Sequence, residues 1–227
     1  MRAVAAITIA VLAASWIFIA YPSLDIATAK LFYDGAHFPI ATNPWVEGLR
    51  NVLIWAEDGG FVLIVVLAFA SRKGTILMLT SRDWAFQALV FLLGPGLIVN
   101  GLLKRFWGRA RPFMTQDFGG DAQFSKAWEF ADQCARNCSF VSGEAAGATA
   151  LAISICMALR ANRDKMRPML YQMGVAVALL LPLVTAWQRM AVGRHYLSDV
   201  VLGTLLVALL AALLHWLFST KVAIKRC

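Results

Sequence analysis

Three short stretches of this chain carry residues whose types and spacing suit chemistry on an anion. The last reads Gln188-Arg189-Met190-Ala191-Val192-Gly193-Arg194-His195-Tyr196-Leu197-Ser198-Asp199. His195 and Asp199 are four apart, hence neighbours on one face of a helix. A carboxylate on one imidazole nitrogen fixes the tautomer and leaves the other as base or nucleophile. The same spacing equally suits a His–Asp pair that only locks a helix start. The first stretch reads Lys104-Arg105-Phe106-Trp107-Gly108-Arg109-Ala110-Arg111-Pro112. Lys104 and Arg111 share a helical face two turns apart, and Pro112 biases Arg111 out of helical geometry, toward the same point. Taken alone, such cations also snorkel to headgroups. The middle stretch, Ser139-Phe140-Val141-Ser142-Gly143-Glu144, opens an apolar run. Serine caps helix N-termini, and the free amides of a first turn seat a phosphate. Gly143 and Gly147 also form the small-xxx-small pattern of tight helix packing.

The elements that must position these residues are membrane helices. Of the 227 residues 60% are hydrophobic and 15% charged, against 45–50% and about 25% in soluble domains. Disorder, a disulfide-stapled miniprotein and an ordinary cytosolic enzyme are excluded. Six apolar runs fall near 4–21, 56–70, 86–103, 143–159, 169–187 and 200–218, several close to the ~20 residues that cross a bilayer. The second is short and blurred by Glu57, Asp58 and Gly59-Gly60. The first lacks a small-residue cleavage site at Trp16–Ile19 and reads as a retained span rather than a secretory signal. The expected fold is all-α, an integral membrane bundle of six transmembrane helices forming one domain over 1–227. Residues 24–32 alternate as an amphipathic interfacial helix would. Residues 104–141 form the longest polar segment, too long for a mere connection.

The net charge of +8, from 21 Lys+Arg against 13 Asp+Glu, fits basic cytoplasmic loops better than nucleic acid. With the N-terminus inside, eleven basic residues are cytoplasmic: Arg2, Arg72, Lys73, Arg82, Arg160, Arg163, Lys165, Arg167, Lys221, Lys225 and Arg226. The short connections 71–85 and 160–168 carry three and four of them. Of the ten outside, six cluster: Lys104, Arg105, Arg109, Arg111, Arg189 and Arg194. Basic residues placed against the topological bias need a local reason, and an anionic ligand supplies one. All three stretches fall on this outer face, whereas His215 at the other reads as a polar residue near a helix end. The convergence suits phosphoryl transfer without metal, cations neutralising the phosphoryl oxygens while His195 attacks in line. No Cys/His spacing resembles a zinc site. Cys156 lies in an apolar run and Cys227 ends the chain, so neither reads as a ligand. Cys134 and Cys138 share a polar loop and pair if that loop faces an oxidising compartment.

The three stretches resemble the motifs of the type 2 phosphatidic acid phosphatase (PAP2) superfamily: Lys-x6-Arg-Pro, Pro-Ser-Gly-His and Ser-Arg-x5-His-x3-Asp. Here they read Lys104…Arg111-Pro112, Val141-Ser142-Gly143-Glu144 and Gln188-Arg189…His195…Asp199. The resemblance implies phosphate binding by Lys104, Arg111, Arg189, Ser142 and the Gly143 amide, a phosphohistidine on His195, and Asp199 orienting it. Arg105, Arg109, Arg194 and His37 are accessory candidates. Val141 and Gln188 replace residues that supply neither nucleophile nor charge. Glu144 stands where the family has the histidine that protonates the leaving oxygen, and general acid–base help is worth roughly 10²–10⁴ in rate. Either Glu144 acts as base on the incoming water, or another group, with His37 a candidate, supplies the proton.

The membrane branch of the family implies a metal-independent phosphatase without cofactor. It would act on a phosphorylated lipid in the bilayer, at the periplasmic face of a bacterial inner membrane, with no nucleic acid and no obligate protein partner. The expected substrate is lipid A, at its 1- or 4′-phosphate, with Trp107, Lys126, Trp128 and Arg136 gripping the headgroup. The aromatic belt is the other reading of those tryptophans. Phosphatidylglycerophosphate and undecaprenyl diphosphate are alternative substrates. Another class, an inactive phospholipid-binding relative, would have Glu144 as its sign of decay; a transporter or scaffold would use the cations only as an anion site.

Overall fold

An apolar run in hydrocarbon has to satisfy its own backbone hydrogen bonds, which a helix does within one segment. In the computed structural model, which describes the backbone of residues 1–224 and side chains through residue 218, the six runs are helices. Lys225, Arg226 and Cys227, and the Lys221 side chain, lie outside the described residues. The order is α1 (Arg2–Ala20), α2 (Ser23–Lys30), α3 (Pro44–Ala70), α4 (Ser81–Phe91), α5 (Gly143–Ala161), α6 (Pro168–Ala191) and α7 (Leu197–Ile224). A π-helical stretch, Leu92–Leu103, and a last α turn, Lys104–Phe106, prolong α4. All but α2 are long and apolar enough to cross a membrane, and the chain is a multi-pass membrane protein. Among the described residues there is no strand beyond isolated bridges.

At the centre stands α5, packed against α3, α4, α6 and α7. Its run of small residues, Ala145, Ala146, Gly147, Ala148, Ala150 and Ala152, is buried and lets its neighbours approach closely. Val90, Val99, Phe140, Val141, Leu202 and Val207 close the core around it.

Four expectations need correction. The second span starts at Pro44, well before residue 56. Asn43 caps it by accepting from the Trp45 amide (2.9 Å), and Pro44 suits the first turn. Its charges mask it from hydropathy, yet they have places in the fold: Arg50 pairs with Glu144, and the Glu57 carboxylate fills the space that a Cβ at Gly147 would need. The short α2 is not amphipathic in the interfacial sense, because it exposes Leu24 and buries Asp25. Lys104 and Arg111 do not share a helix: α4 ends at Phe106, Gly108 turns the chain with φ +66°, and Arg111 is extended before Pro112. His195 likewise precedes α7, and meets Asp199 across the turn that opens that helix.

The connection from Trp107 to Ser142 folds on its own aromatic cluster. Trp107 stacks on Phe130 at 4.0 Å between centroids and contacts Trp128 and Phe140. Trp128 also donates to Ser15 Oγ of α1 (2.9 Å). These two tryptophans are packing residues rather than an outward grip on a headgroup, whereas Lys126 is exposed.

Candidate functional site

At the end of the bundle where α4, α5 and α6 meet the Trp107–Ser142 connection lies a polar cavity of about 270 Å3. Its walls include Arg50, Lys104, Arg111, Arg189 and Arg194, with Glu47, Glu144, Asn137 and Gln188. Each cation is delivered by a different local device. Lys104 opens the final turn of α4 and Arg189 lies in the last turn of α6. Just beyond α6, Gly193 takes a left-handed conformation (φ +66°), which a helix C-terminus favours. The turn lets the amides of Arg194 and His195 both donate to Arg189 O, at 3.0 and 3.2 Å. Arg194 then lies over the Phe113 ring at 4.6 Å.

Arg111 is held by one residue: its Nε and Nη2 donate to Asn137 O (3.0 and 2.7 Å), and Nη2 to Asn137 Oδ1 (2.8 Å). Asn137 lies inside the small ring closed by the Cys134–Cys138 disulfide, whose Cα atoms are 5.6 Å apart. Burial, then Arg194 and Arg189, bring the Arg111 guanidinium down to about 10, still charged at neutral pH.

Glu144, in the first turn of α5, is clamped between two guanidiniums. Arg50 Nε and Nη2 donate to it at 3.0–3.3 Å, and Arg189 Nη1 reaches both its oxygens at 2.8 and 2.9 Å. Charge-assisted pairs of this kind are the strong ones. The arrangement favours the ionised carboxylate, not a carboxylic acid with a proton to donate.

His195 is 3% exposed. Its Nδ1 faces Asp199 Oδ2 at 3.6 Å, an electrostatic approach too long for a good hydrogen bond, which makes Nε2 the candidate nucleophile. Burial lowers the imidazole to about 3; Lys104 and Arg111 act in the same direction and Asp199 opposes them. His195 is therefore neutral at physiological pH, the form with a lone pair to offer. Asp199 is itself held on all sides: Oδ2 accepts from Ser139 Oγ (2.5 Å) and the Tyr196 amide (2.9 Å), and Oδ1 from Arg109 Nη1 (2.7 Å). The Tyr196 bond is the reach-back of a helix cap.

The other sequence candidates separate into those brought together and those kept apart. Lys104, Arg111, Glu144, Arg189 and Arg194 meet at the cavity. Ser142 caps α5 instead, its Oγ accepting from the Ala145 amide (3.3 Å) while its own amide donates to Asp199 O (3.0 Å). Gly143 packs so closely on Asn100 that a Cβ would collide there. Arg109 is corrected from accessory anion ligand to buried partner of Asp25 and Asp199, at 2.7 Å each. Burial alone would lower its guanidinium; Asp199 and Asp25 reverse that and hold it above its ordinary value. Arg105 is exposed and lines, with Arg136, a neighbouring hollow that shares Lys104 and Asn137 with the cavity; Arg105 itself is not among the cavity's lining residues. His37 is 61% exposed and paired with Asp34 at 3.3 Å, and is not among the cavity's lining residues. Sequence reasoning missed Arg50, Asn137, Ser139 and Asp25. Only a recognised start for α3 would have pointed to Arg50, one turn and a half beyond Pro44.

A second cavity of about 400 Å3 adjoins the first and shares Lys104 and Glu144 with it. Its walls are largely apolar, with Ile54, Phe61, Phe91, Leu92 and Pro95 from α3 and α4. A cation-lined polar space thus adjoins an apolar one between membrane helices.

Residues 84–223 match the PAP2 superfamily, and the chain belongs to that family. It is similar to the lipid A 4′-phosphatase of Rhizobium leguminosarum, 33% identical over 205 residues, 83% of this chain and 84% of the relative. A lipid A 4′-phosphatase of Francisella tularensis subsp. novicida (strain U112) is 29% identical over 197 residues, 82% of this chain and 83% of that one. In fold the chain resembles the first transmembrane PAP2-type phosphatidylglycerolphosphate phosphatase from Bacillus subtilis, seen in a crystal structure. The TM-score is 0.59 with 23% identity, covering 97% of this chain and 98% of that one.

Proposed function

We propose that this chain is a lipid A phosphatase that removes the 4′-phosphate at the periplasmic face of a bacterial inner membrane. It acts as a single unit over 1–227, needing neither metal, cofactor nor partner protein. The observation that carries the reading is the buried His195, backed by Asp199, beside a cavity whose walls include Lys104 and Arg111. The apolar cavity beside it favours a lipid over a soluble phosphate. The similarity to lipid A 4′-phosphatases over most of both chains supports the substrate and the position.

In the first step His195 Nε2 attacks phosphorus in line, the bond from phosphorus to the sugar oxygen breaks, and that oxygen leaves with a proton from water. Lys104, Arg111 and Arg189 take up the charge on the phosphoryl oxygens. In the second step water attacks the phosphohistidine, giving up its proton to Glu144; the phosphorus–nitrogen bond breaks, inorganic phosphate leaves with His195 restored, and Glu144 returns its proton to the hydroxide left when water protonated the leaving oxygen. Asp199 stabilises the charge that the imidazole carries between the two steps.

The test is product identification. Purified protein is incubated in EDTA with bisphosphorylated lipid A, and the lipid is fragmented in a mass spectrometer. The expected product lacks the phosphate of the distal glucosamine. Loss of the 1-phosphate, or untouched lipid A beside hydrolysed phosphatidylglycerophosphate or undecaprenyl diphosphate, would contradict the assignment.

A further inference from the structure

Behind Asp199, on the side away from the cavity, lies a charged cluster that the proposed reaction does not use. Arg109 Nη1 donates to Asp199 Oδ1 and Nη2 to Asp25 Oδ2, both at 2.7 Å, and all three side chains are fully buried. Arg109 also donates to Ser125 O (2.9 Å) and Ser198 Oγ (2.8 Å), and lies over the Tyr196 ring at 4.3 Å. Asp25 accepts from the Ser198 amide (2.8 Å) and from Ser198 Oγ (2.6 Å) as well as from Arg109. Burial and the nearby Asp199 push its carboxyl up, and Arg109 and Ser198 oppose them. Every group bonded to it is a donor, so the ionised form is the one its surroundings fit.

Buried charge of this kind is expensive to keep and weak as a source of stability, which makes its place beside the nucleophile informative. Asp199 alone would face His195 with one negative charge, and Arg109 cancels it. Asp25 restores it. We infer that Asp25, on the short helix after the first span, is a positioning residue of the reaction: it acts through Arg109 so that Asp199 still presents a net negative charge to His195. The inference rests on the reading of His195 as the nucleophile. It brings into the machinery a segment outside residues 84–223, the part that matches the family. The charged groups around the imidazole are then Lys104 from α4, Arg111 from the connection, Asp199 from α7, and the Arg109–Asp25 pair behind it.

The charge argument and a purely structural tie give opposite orders of variants. Asp25→Asn has the same shape and takes the cluster from one net negative charge to none. Asp25→Asn with Arg109→Gln disturbs more packing but returns it to one. Two probes separate binding from bonding: inorganic phosphate needs only the cations, whereas vanadate mimics the transition state and bonds to the nucleophile. With detergent-purified, monodisperse protein, Asp25→Asn is expected to weaken vanadate binding about tenfold or more, with phosphate binding unchanged within about twofold. kcat should fall in parallel with KM held. The double variant should recover most of the vanadate affinity. A double variant no better than Asp25→Asn, or an Asp25→Asn that binds vanadate normally, would overturn the proposal. If Asp25→Asn does not fold, the double variant decides alone: vanadate affinity near wild type supports the proposal and a tenfold loss removes it. Wild type that binds neither anion would instead sink the phosphatase reading itself.

Discussion

What Glu144 does is set by its two guanidinium partners. A histidine at that position would share space with Arg189 as a neutral or cationic ring; the carboxylate ties Arg189 and Arg50 together. Glu144→Gln keeps the shape and removes the charge and the basicity. If Glu144 takes the proton of the attacking water, turnover should fall by roughly 10²–10⁴, as expected for lost general-base help, and phosphoenzyme should accumulate before steady state. Stopped-flow phosphate release, with the protein quenched in alkali because a phosphohistidine survives base and not acid, measures both. Unchanged turnover would remove Glu144 from the mechanism and leave it a clamp for Arg189. That Lys104, Arg111, Arg189, His195 and Asp199 belong to one cluster was legible from their types and order along the chain, although the helical faces read into the Lys104–Arg111 and His195–Asp199 spacings are not there. Arg50, 94 positions from its partner, and Asp25, 84 positions from Arg109, were not legible. Their meaning depends on contacts between elements far apart in sequence, which no local pattern encodes.

Hydropathy located the spans at the level of elements because a bilayer sets their length. It misplaced the start of α3, where Arg50, Glu57 and Asp58 dilute an apolar helix whose charges turn to the protein. It misread α2 because alternation does not say which side is inner; the buried face is chosen by Arg109 and Ser198, not by leucines. The cation-bearing connection was legible as long and polar, and opaque in its inner order. Its Cys134–Cys138 ring closes a short loop, for which chain entropy predicts about 2 kcal/mol, and within that ring Asn137 holds Arg111 by three hydrogen bonds. Loosening the ring should therefore weaken substrate capture more than chemistry. For Cys134→Ser with Cys138→Ser, the expected result is KM raised about tenfold, the worth of roughly 1.4 kcal/mol, with kcat within about threefold. A variant with KM unchanged would show that Arg111 keeps its place without the ring.

In the whole molecule, a six-span bundle built round the small-residue helix α5 brings three distant motifs to one end. There it joins a cation-lined space to an apolar one. That architecture follows from membrane physics and family resemblance, and it leaves one chemical claim at the centre: His195 transfers the phosphoryl group. The most direct measurement is inorganic phosphate released from lipid A, in EDTA, by detergent-purified wild-type and His195→Ala protein at equal folded concentration. Release by wild type, with His195→Ala reduced to background although it still binds the lipid, is the predicted result. Equal release by both proteins, or release that EDTA abolishes, would contradict a metal-free histidine nucleophile.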